Sequence, residues 1–456
     1  MEKFDVIVIG TGQAGPSMAI KCAHEGLNTA IIERHKFGGT CVNTGCTPTK
    51  AMVASAKAIY DAKRASSYGV NVNGDVAMDM RKMKRRKDEI VAPSTEGVEK
   101  NLRDTDNITV ITGHARFEEQ YVITVGDRKL TADRIFINVG GRAYIPEGFE
   151  GVNYLTNSEM MDIDYLPKHL VIVGGGYIGL EFGQMFRRFG SEVTIIEKND
   201  RLVHHEDKEV SEAIEDILEE EGINIRLNAE CISGEQKGED VLVNVECDEG
   251  DPEVSGSHLL LAIGRTPNTD DLGLENTEIE TNERGYIQVN DQLETNVENI
   301  WALGDCNGEG AFTHTAYNDY EIVSSNLFGD DKRSLNDRIT CYGLFIDPPL
   351  GRIGLTEEEV RESGKKALVA RKPMSKIARA KEKGETRGFM KILVEEDSGL
   401  ILGAAILGVG GDETIHSLLD VMYAKKPYTV IKNAVHIHPT VSELIPTTLS
   451  ELEPLD

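Results

Sequence analysis

No apolar run in this 456-residue chain is long enough to cross a membrane: the longest stretch of low polarity, residues 399–411, is only about 13 residues and rich in glycine. Basic residues are also short, with Lys plus Arg at 49 against 77 Asp plus Glu, a formal charge of -28. A field of that sign repels nucleic acid and anionic membranes, so neither is expected as a partner. It suits an acidic cytosolic enzyme or a protein kept soluble in high salt, and speaks to solubility rather than chemistry. A cleavable leader is missing too, because in MEKFDVIVIGTG the apolar residues 6–9 run straight into a glycine turn. The expected compartment is the cytoplasm. Seven cysteines, at 22, 41, 46, 231, 247, 306 and 341, are odd in number and scattered, unlike the framework of a small secreted domain.

What is present is a repeated unit. An apolar strand over residues 4–9 enters Gly10-Thr-Gly12-Gln-Ala-Gly15, then a helical stretch to His24, a strand over 29–32, and Glu33. A second strand over 170–173 enters Gly174-Gly-Gly176-Tyr-Ile-Gly179, then a helix to Phe189, a strand over 192–196, and Glu197. First glycine and acid are 23 residues apart in both copies. Glycines allow the tight turn and close approach of a pyrophosphate, the helix N-terminus faces its charge, and the acid meets ribose hydroxyls. One such motif is weak evidence. Two with matched strand, helix and acid predict two dinucleotide-binding units.

Beyond these units, residues 48–102 read as a helical region, and residues 108–117 and 122–130 as antiparallel strands. The basic run RKMKRRK at 81–87 reads as a solvated helix face, with a docking patch as the alternative. From about residue 341, strands over 389–394 and 400–407 and a helix over 413–423 mark a third domain.

Cys41 and Cys46, in GGTCVNTGCTPTK, are the one close pair of cysteines. A cytosolic compartment argues against a structural disulfide. Zinc lacks a second Cys or His pair at ligand spacing. A redox role fits best: Gly45 and Pro48 suit a turn into a helix, a helix N-terminus lowers a thiol pKa, and Lys50 adds a positive charge. The pair also follows Glu33 by eight residues, which places it close to the first bound dinucleotide.

FGGTCVNTGCTPTK, VIVGGGYIGLEFG, AIGRTPN, IWALGDC and HIHPTVSE, in that order along the chain, resemble the class I pyridine nucleotide-disulfide oxidoreductases, such as dihydrolipoamide dehydrogenase, glutathione reductase and mercuric reductase. The likeness spans essentially the whole chain. It implies an α/β fold of two Rossmann-like domains, for FAD and NAD, with a C-terminal α+β dimerisation domain. The FAD domain would take residues 1–145 and 265–340, the NAD(P) domain 146–264, and the interface domain 341–456.

The resemblance also implies roles. Gly10, Gly12, Gly15, Glu33, Thr40, Lys50, Gly113, Ala115, Gly140, Asp305 and Thr313 would hold FAD, with Thr313 opening a helix aimed at the flavin. Gly174, Gly176, Tyr177, Gly179, Glu197 and Gly264 would hold NAD, with Tyr177 gating the nicotinamide pocket. A carboxylate at 197 repels a 2'-phosphate, so NADH is expected over NADPH, with Lys198 and Arg201 as a countercurrent. Lys50 and Glu181 would pair beside the flavin. Cys46 would be the flavin-proximal thiol and Cys41 the interchange thiol. His438, oriented by Glu443, would be the base, supplied by the other subunit of a homodimer, with His436 the competing candidate. Cys306 reads as a small buried residue.

The chain departs from mercuric reductases. It ends SELEPLD without a cysteine after Cys341, and no metal-binding domain precedes Gly10. No metal site is therefore expected. The function expected is reduction of a small, dihydrolipoyl-like disulfide. The alternatives are reduction of metal ions (Hg(II), Cu(II)) or reactive oxidants, and a flavin redox sensor or complex component.

Overall fold

A computed structural model describes residues 1–247 and 250–455. Its first sheet is built on the strand Glu2–Ile9, where Val6, Ile7 and Val8 are fully buried. Such a continuous apolar run belongs to a strand covered on both faces. Thr29–Glu33 and Arg128–Ile137 flank it in parallel register, Ile108–Thr112 lies outside Thr29–Glu33, and Ile300–Ala302 joins Arg128–Ile137. Val122–Val125 and Ala115–Glu119 continue that sheet antiparallel.

The second sheet is wholly parallel, in the order Asn224–Arg226, Glu192–Ile196, His169–Val173, His258–Leu261, Tyr154–Leu155. A three-stranded antiparallel ribbon, Ala229–Lys237, Asp240–Cys247 and Glu253–Gly256, packs beside it. Where the chain leaves the first sheet and where it returns, Gly141–Ala143 and Arg265–Pro267 pair antiparallel. The third sheet has six antiparallel strands, with Cys341–Leu344 and Leu350–Gly354 at one edge and Ala367–Pro373 with Glu453–Pro454 at the other.

Both glycine turns are forced by what their backbones touch. Gly10 has φ +101°, and a Cβ there would lie 2.2 Å from the Asn138 carbonyl oxygen; Gly174 has φ +112°, and its Cβ would lie 2.4 Å from that of Ala262. In each copy the glycine therefore crosses against the next parallel strand's end, a place no side chain can share. Asn138 adds a bridge that the glycine pattern does not show. Its Oδ1 accepts from Gly15 N at 2.9 Å and its Nδ2 donates to Leu303 O at 2.8 Å, joining three segments behind the first turn.

Several expected elements divide. The helical region 48–102 becomes Cys46–Lys63, a short 3-10 turn and Met80–Asp104, because residues 69–79 hold neither helix nor strand and Gly69 takes φ +78°. Residues 108–117 are two strands broken at Gly113, which has φ +152°; the first of them is parallel to its neighbour, not antiparallel. Residues 122–130 likewise turn at Gly126 between two strands. The helix expected over 413–423 is split into Gly411–Thr414 and His416–Tyr423. The basic run lies on Met80–Asp104, as a helix face should, yet it is not uniformly solvated. Lys87 is buried and donates to Met161 O at 2.8 Å, and Arg86 donates to Ala51 O at 2.9 Å.

The third sheet is fixed to the second by buried ion pairs. Arg188 gives Nε to Glu221 and Nη1 to Asp347, both at 2.7 Å. Buried charges of this kind need full pairing, so their geometry resists sliding. Among the described residues, no helix is long and apolar enough to cross a membrane.

Candidate active site

The two thiols sit at a junction of helices. Cys41 lies in the one-turn helix Gly39–Asn43, and Cys46 opens the 18-residue helix Cys46–Lys63. Gly45 between them is hemmed in: a Cβ there would meet Thr40 O at 2.9 Å and Cys41 Cα at 3.3 Å. Pro48 is buried in the first turn, where its missing N–H costs no helical bond. Both cysteines are free and share a hydrogen bond.

That bond divides the pair chemically. The Cys46 thiol is drawn down to about 6, first by the hydrogen bond from Cys41 and then, against the opposing effect of burial, by the Thr313 hydroxyl and the Lys50 charge. Cys41 is pushed well above the ordinary thiol range, because it donates to Cys46 and is itself half-buried. At neutral pH the arrangement holds a thiolate at 46 and a thiol at 41. Thr313 opens the helix Thr313–Phe328 with its Oγ1 3.0 Å from Cys46 Sγ, so two helix N-termini converge on one sulfur.

Lys50 follows Cys46 by one helical turn and faces the same way. Its Nζ is 2.8 Å from Glu181 Oε2 and 4.4 Å from the centre of the Phe345 ring. Glu181 is buried, and its other oxygen accepts from Phe345 N at 3.0 Å. The ammonium is thus held in place by a carboxylate and an aromatic face contributed by two other parts of the chain.

These groups line a continuous cleft of about 1330 Å³. That exceeds the roughly 300–1,000 Å³ of an ordinary small-molecule site and suits an extended dinucleotide with room beside it. Gly10, Gly12, Glu33 and Thr40 line one end, and Gly113, Ala115 and Gly140 lie along the same wall. Asp305, Thr313 and Tyr177 complete it. Asp305 pairs with Arg265 at 3.4 Å, and burial raises its carboxyl above the usual range. Gly15 stands behind the lining, bonded to Asn138.

The fit to a dinucleotide can be tested on the acids. Glu33 accepts from Thr11 N at 3.0 Å, from the Thr11 hydroxyl and from His35 N at 2.8 Å. Glu197 accepts from Gly175 N at 2.7 Å, from Asn199 N at 2.9 Å and from the Asn199 amide. A carboxylate offers about four acceptor positions, so each acid is locked against its glycine loop with capacity left for a ribose hydroxyl. The glycines serve two purposes: a Cβ at Gly12 would meet Asn138 Oδ1 at 2.9 Å and one at Gly179 would meet Gly174 O at 2.0 Å, so these two keep the turns tight, whereas nothing lies within 4 Å of one at Gly176, which leaves the second loop open to a phosphate. Both units fit. Gly174, Gly176, Gly179, Glu197 and Gly264 lie outside the large cleft's lining, and only Tyr177 of the second set reaches it. Gly264 has φ +145° and accepts from Tyr144 N at 3.0 Å.

His438 and Glu443 are brought together but not to the thiols. His438 Nδ1 lies 3.0 and 2.9 Å from the two Glu443 oxygens, and its side chain is 75% exposed. It does not line the cleft within one chain. Val435 and Ile437, just before it, are 100% and 80% exposed. His436, by contrast, has no carboxylate partner among the described residues, and its buried Nδ1 has no hydrogen-bond partner among them. Cys306 is fully buried, with its sulfur near the Ile137 and Leu303 carbonyls.

Sequence reasoning missed Thr11, Asn138, Arg265, Phe345 and Tyr342. Arg265 stands in the quoted segment AIGRTPN and Asn138 just after an apolar strand, yet their bonds depend on segments more than a hundred residues away.

Residues 4–319 match the family described as pyridine nucleotide-disulphide oxidoreductase, and residues 341–449 match its dimerisation domain. The chain is 36% identical to the probable pyridine nucleotide-disulfide oxidoreductase RclA of Escherichia coli (strain K12), covering 97% of this chain and 98% of that one. It is 31% identical to dihydrolipoyl dehydrogenase 2 of Haloarcula marismortui, over 97% and 95% of the two chains. Among solved structures, the Cu(II) complex of the HOCl-induced flavoprotein disulfide reductase RclA from Escherichia coli matches with a TM-score of 0.90 and 35% identity, covering 99% of both chains.

Proposed function

Since this chain belongs to the pyridine nucleotide-disulphide oxidoreductase family, whose members are FAD-dependent and use NAD(P)H, we propose that it uses NADH to reduce a small disulfide at the Cys41 and Cys46 dithiol. The observation that carries this reading is the division of the pair, a stabilised thiolate at Cys46 beside Thr313 and Lys50, and a protonated Cys41.

FAD would be held by Gly10, Gly12, Gly15, Glu33, Thr40, Gly113, Ala115, Gly140, Asp305 and Thr313, within a unit of residues 1–145 and 265–340. NADH would be held by Gly174, Gly176, Gly179, Glu197 and Gly264 with Tyr177 at the nicotinamide end, within 146–264. Bound FAD supplies two-electron coupling between a nicotinamide and a thiol pair. Lys50, fixed by Glu181, keeps a positive charge beside that exchange.

The acceptor half-reaction belongs to the protein's own side chains. Cys41 cannot attack as a thiol, so its proton must pass to a base. That base is His438 of the partner subunit, held in one tautomer by Glu443 of the partner subunit. The Cys41 sulfur then attacks one substrate sulfur, the substrate S–S bond breaks, and the imidazolium returns the proton to the departing thiolate. Cys46 attacks Cys41 in the mixed disulfide, closing the Cys41–Cys46 disulfide and releasing the second substrate half as a thiolate that takes its proton from solvent. The dimerisation domain over 341–449 supports a homodimer, and the acidic surface a cytoplasmic setting.

A second reading, reduction of a metal ion such as Cu(II), is favoured by the likeness to a flavoprotein disulfide reductase solved as its Cu(II) complex. A steady-state screen of lipoamide, glutathione disulfide, other small disulfides, Hg(II) and Cu(II), each with NADH and NADPH, decides between them. Disulfide-dependent oxidation of NADH, with NADPH much poorer, is expected. Turnover confined to metal ions would replace the first reading by the second.

The pH dependence carries a further expectation. In the two-electron-reduced protein, the long-wavelength thiolate-to-flavin absorption should persist down to about pH 6 and fade below it, because the Cys46 pKa is lowered to about 6. The sign follows from the lowering: the thiolate is present above the shifted value and lost as pH falls through it. A midpoint near the ordinary thiol value of 9.0 would contradict the polarised pair.

A further inference from the structure

The aromatic wall behind Tyr177 ends in a buried ionic centre that the redox groups do not use. Ring centres of Tyr177 and Tyr342 lie 5.4 Å apart, and those of Tyr177 and Phe312 6.2 Å apart. Phe312 stacks on Tyr342 at 5.6 Å and 16°. The Tyr342 phenol donates to Glu206 Oε1 at 2.7 Å. Glu206 Oε2 accepts from Arg352 Nε at 2.9 Å, and Arg352 Nη2 reaches Asp207 Oδ2 at 2.8 Å. Side-chain exposure of Glu206 and Arg352 is 0% and 1%.

The register explains why this centre is rigid. Tyr342 and Arg352 face each other across the paired strands Cys341–Leu344 and Leu350–Gly354. Glu206 and Asp207 lie just before the helix Lys208–Glu220, in the part of the chain that carries the second dinucleotide fold. Turning Tyr342 away would leave a fully buried carboxylate oxygen without its donor, while Arg352 remains committed to two acids. Tyr342 is therefore the fixed ring of the pair. Tyr177, which opens its helix directly after Gly176 and lines the cleft, is the ring that can move.

Resting on the assignment of Tyr177 to the nicotinamide pocket, we propose that Tyr342, anchored by Glu206 and Arg352, is a positioning residue that holds Tyr177 across the entrance, so that NADH binds only by breaking the Tyr177–Tyr342 contact. The latch joins the NADH side to the C-terminal sheet. Tyr177 so held would also screen the cleft from solvent whenever nicotinamide is absent.

The test uses the FAD-loaded dimer and the variants Tyr342→Phe, Tyr177→Ala and the double variant. Tyr342→Phe keeps the ring and removes the hydroxyl. It is expected to lower KM for NADH severalfold, with kcat much less affected, and to raise NADH-driven oxygen consumption severalfold. Tyr177→Ala should do both at least as strongly, and the double variant should match Tyr177→Ala, because the second substitution has no contact left to break. If Tyr177→Ala shifts both readouts and a folded, FAD-replete Tyr342→Phe shifts neither, the latch is overturned while the NADH site stands. If Tyr177→Ala also leaves KM for NADH unchanged, the placement of Tyr177 fails first. Glu206→Gln, which retains an acceptor for the phenol, should give a smaller shift of the same sign. Loss of FAD or of the dimer in both Tyr342→Phe and Glu206→Gln would mark the cluster as purely structural and overturn the proposal.

Discussion

Cys41→Ser and Cys46→Ser are each expected to lower disulfide-dependent NADH oxidation by on the order of a thousandfold or more, since each removes a sulfur that must form a covalent bond during turnover. Flavin bleaching by NADH should survive in both, because neither residue belongs to the second dinucleotide site. The two variants should fail differently. Cys46→Ser retains the attacking sulfur and loses the resolving one, so incubation with a disulfide should leave a mixed disulfide on Cys41, visible by mass spectrometry as one substrate half per chain. Cys41→Ser should form no adduct, because Cys46, the flavin-proximal thiol in the proposed relay, would be turned toward the bound cofactor and the Thr313 hydroxyl rather than toward substrate. An adduct on Cys46 in Cys41→Ser, with none on Cys41 in Cys46→Ser, would reverse the two roles. Persistence of Cu(II)-dependent oxidation in His438→Gln but not in Cys41→Ser would favour the metal-ion reading instead.

The features legible in the sequence were those in which a local backbone demand and a chemical demand fall on the same residues. Gly10 and Gly174 must turn with positive φ against the end of a neighbouring strand, and the same turn aims a helix at a phosphate. Glu33 ends and Glu197 directly follows a strand whose period and apolar character are plain, and both fold back onto their glycine loops. Cys41, Gly45, Cys46 and Lys50 lie within ten residues, so a helix start is enough to place them together.

What the sequence hid depends on distance along the chain. Lys50 and Glu181 are 131 residues apart and meet through packing between two separate folds. Phe345, which supplies both a ring for Lys50 and an N–H for Glu181, has no pattern of its own. The divided elements have a more local cause: Gly69, Gly113 and Gly126 read as tolerable interruptions in periodic stretches, and each proves to be a turn in the left-handed region. The buried Lys87 shows the limit of reading charge alone, because a basic run on a helix contains a face that must point inward.

His438 is the residue whose function is least visible in one chain, and its arrangement leads to a second large effect. Its imidazole is fixed by Glu443 yet exposed, outside the cleft, and beside two exposed apolar side chains. The base proposed for the relay, held away from the cleft of its own chain, would serve the other cleft if a symmetric partner brings it there. His438→Gln should therefore lower disulfide reduction by roughly 10²–10⁴-fold, the usual contribution of a positioned acid–base group. Complementation separates an arrangement across the interface from one within a chain. Co-expressed Cys41→Ser and His438→Gln chains form mixed dimers in which, if the base crosses over, one site joins an intact Cys41 to an intact His438 of the partner subunit. The other site has lost both. With random pairing about half the dimers are mixed, and total activity should recover to about a quarter of the unsubstituted enzyme. If the base acted within its own chain, every site in every dimer would lack one of the two groups, and activity should stay at the mean of the two single variants.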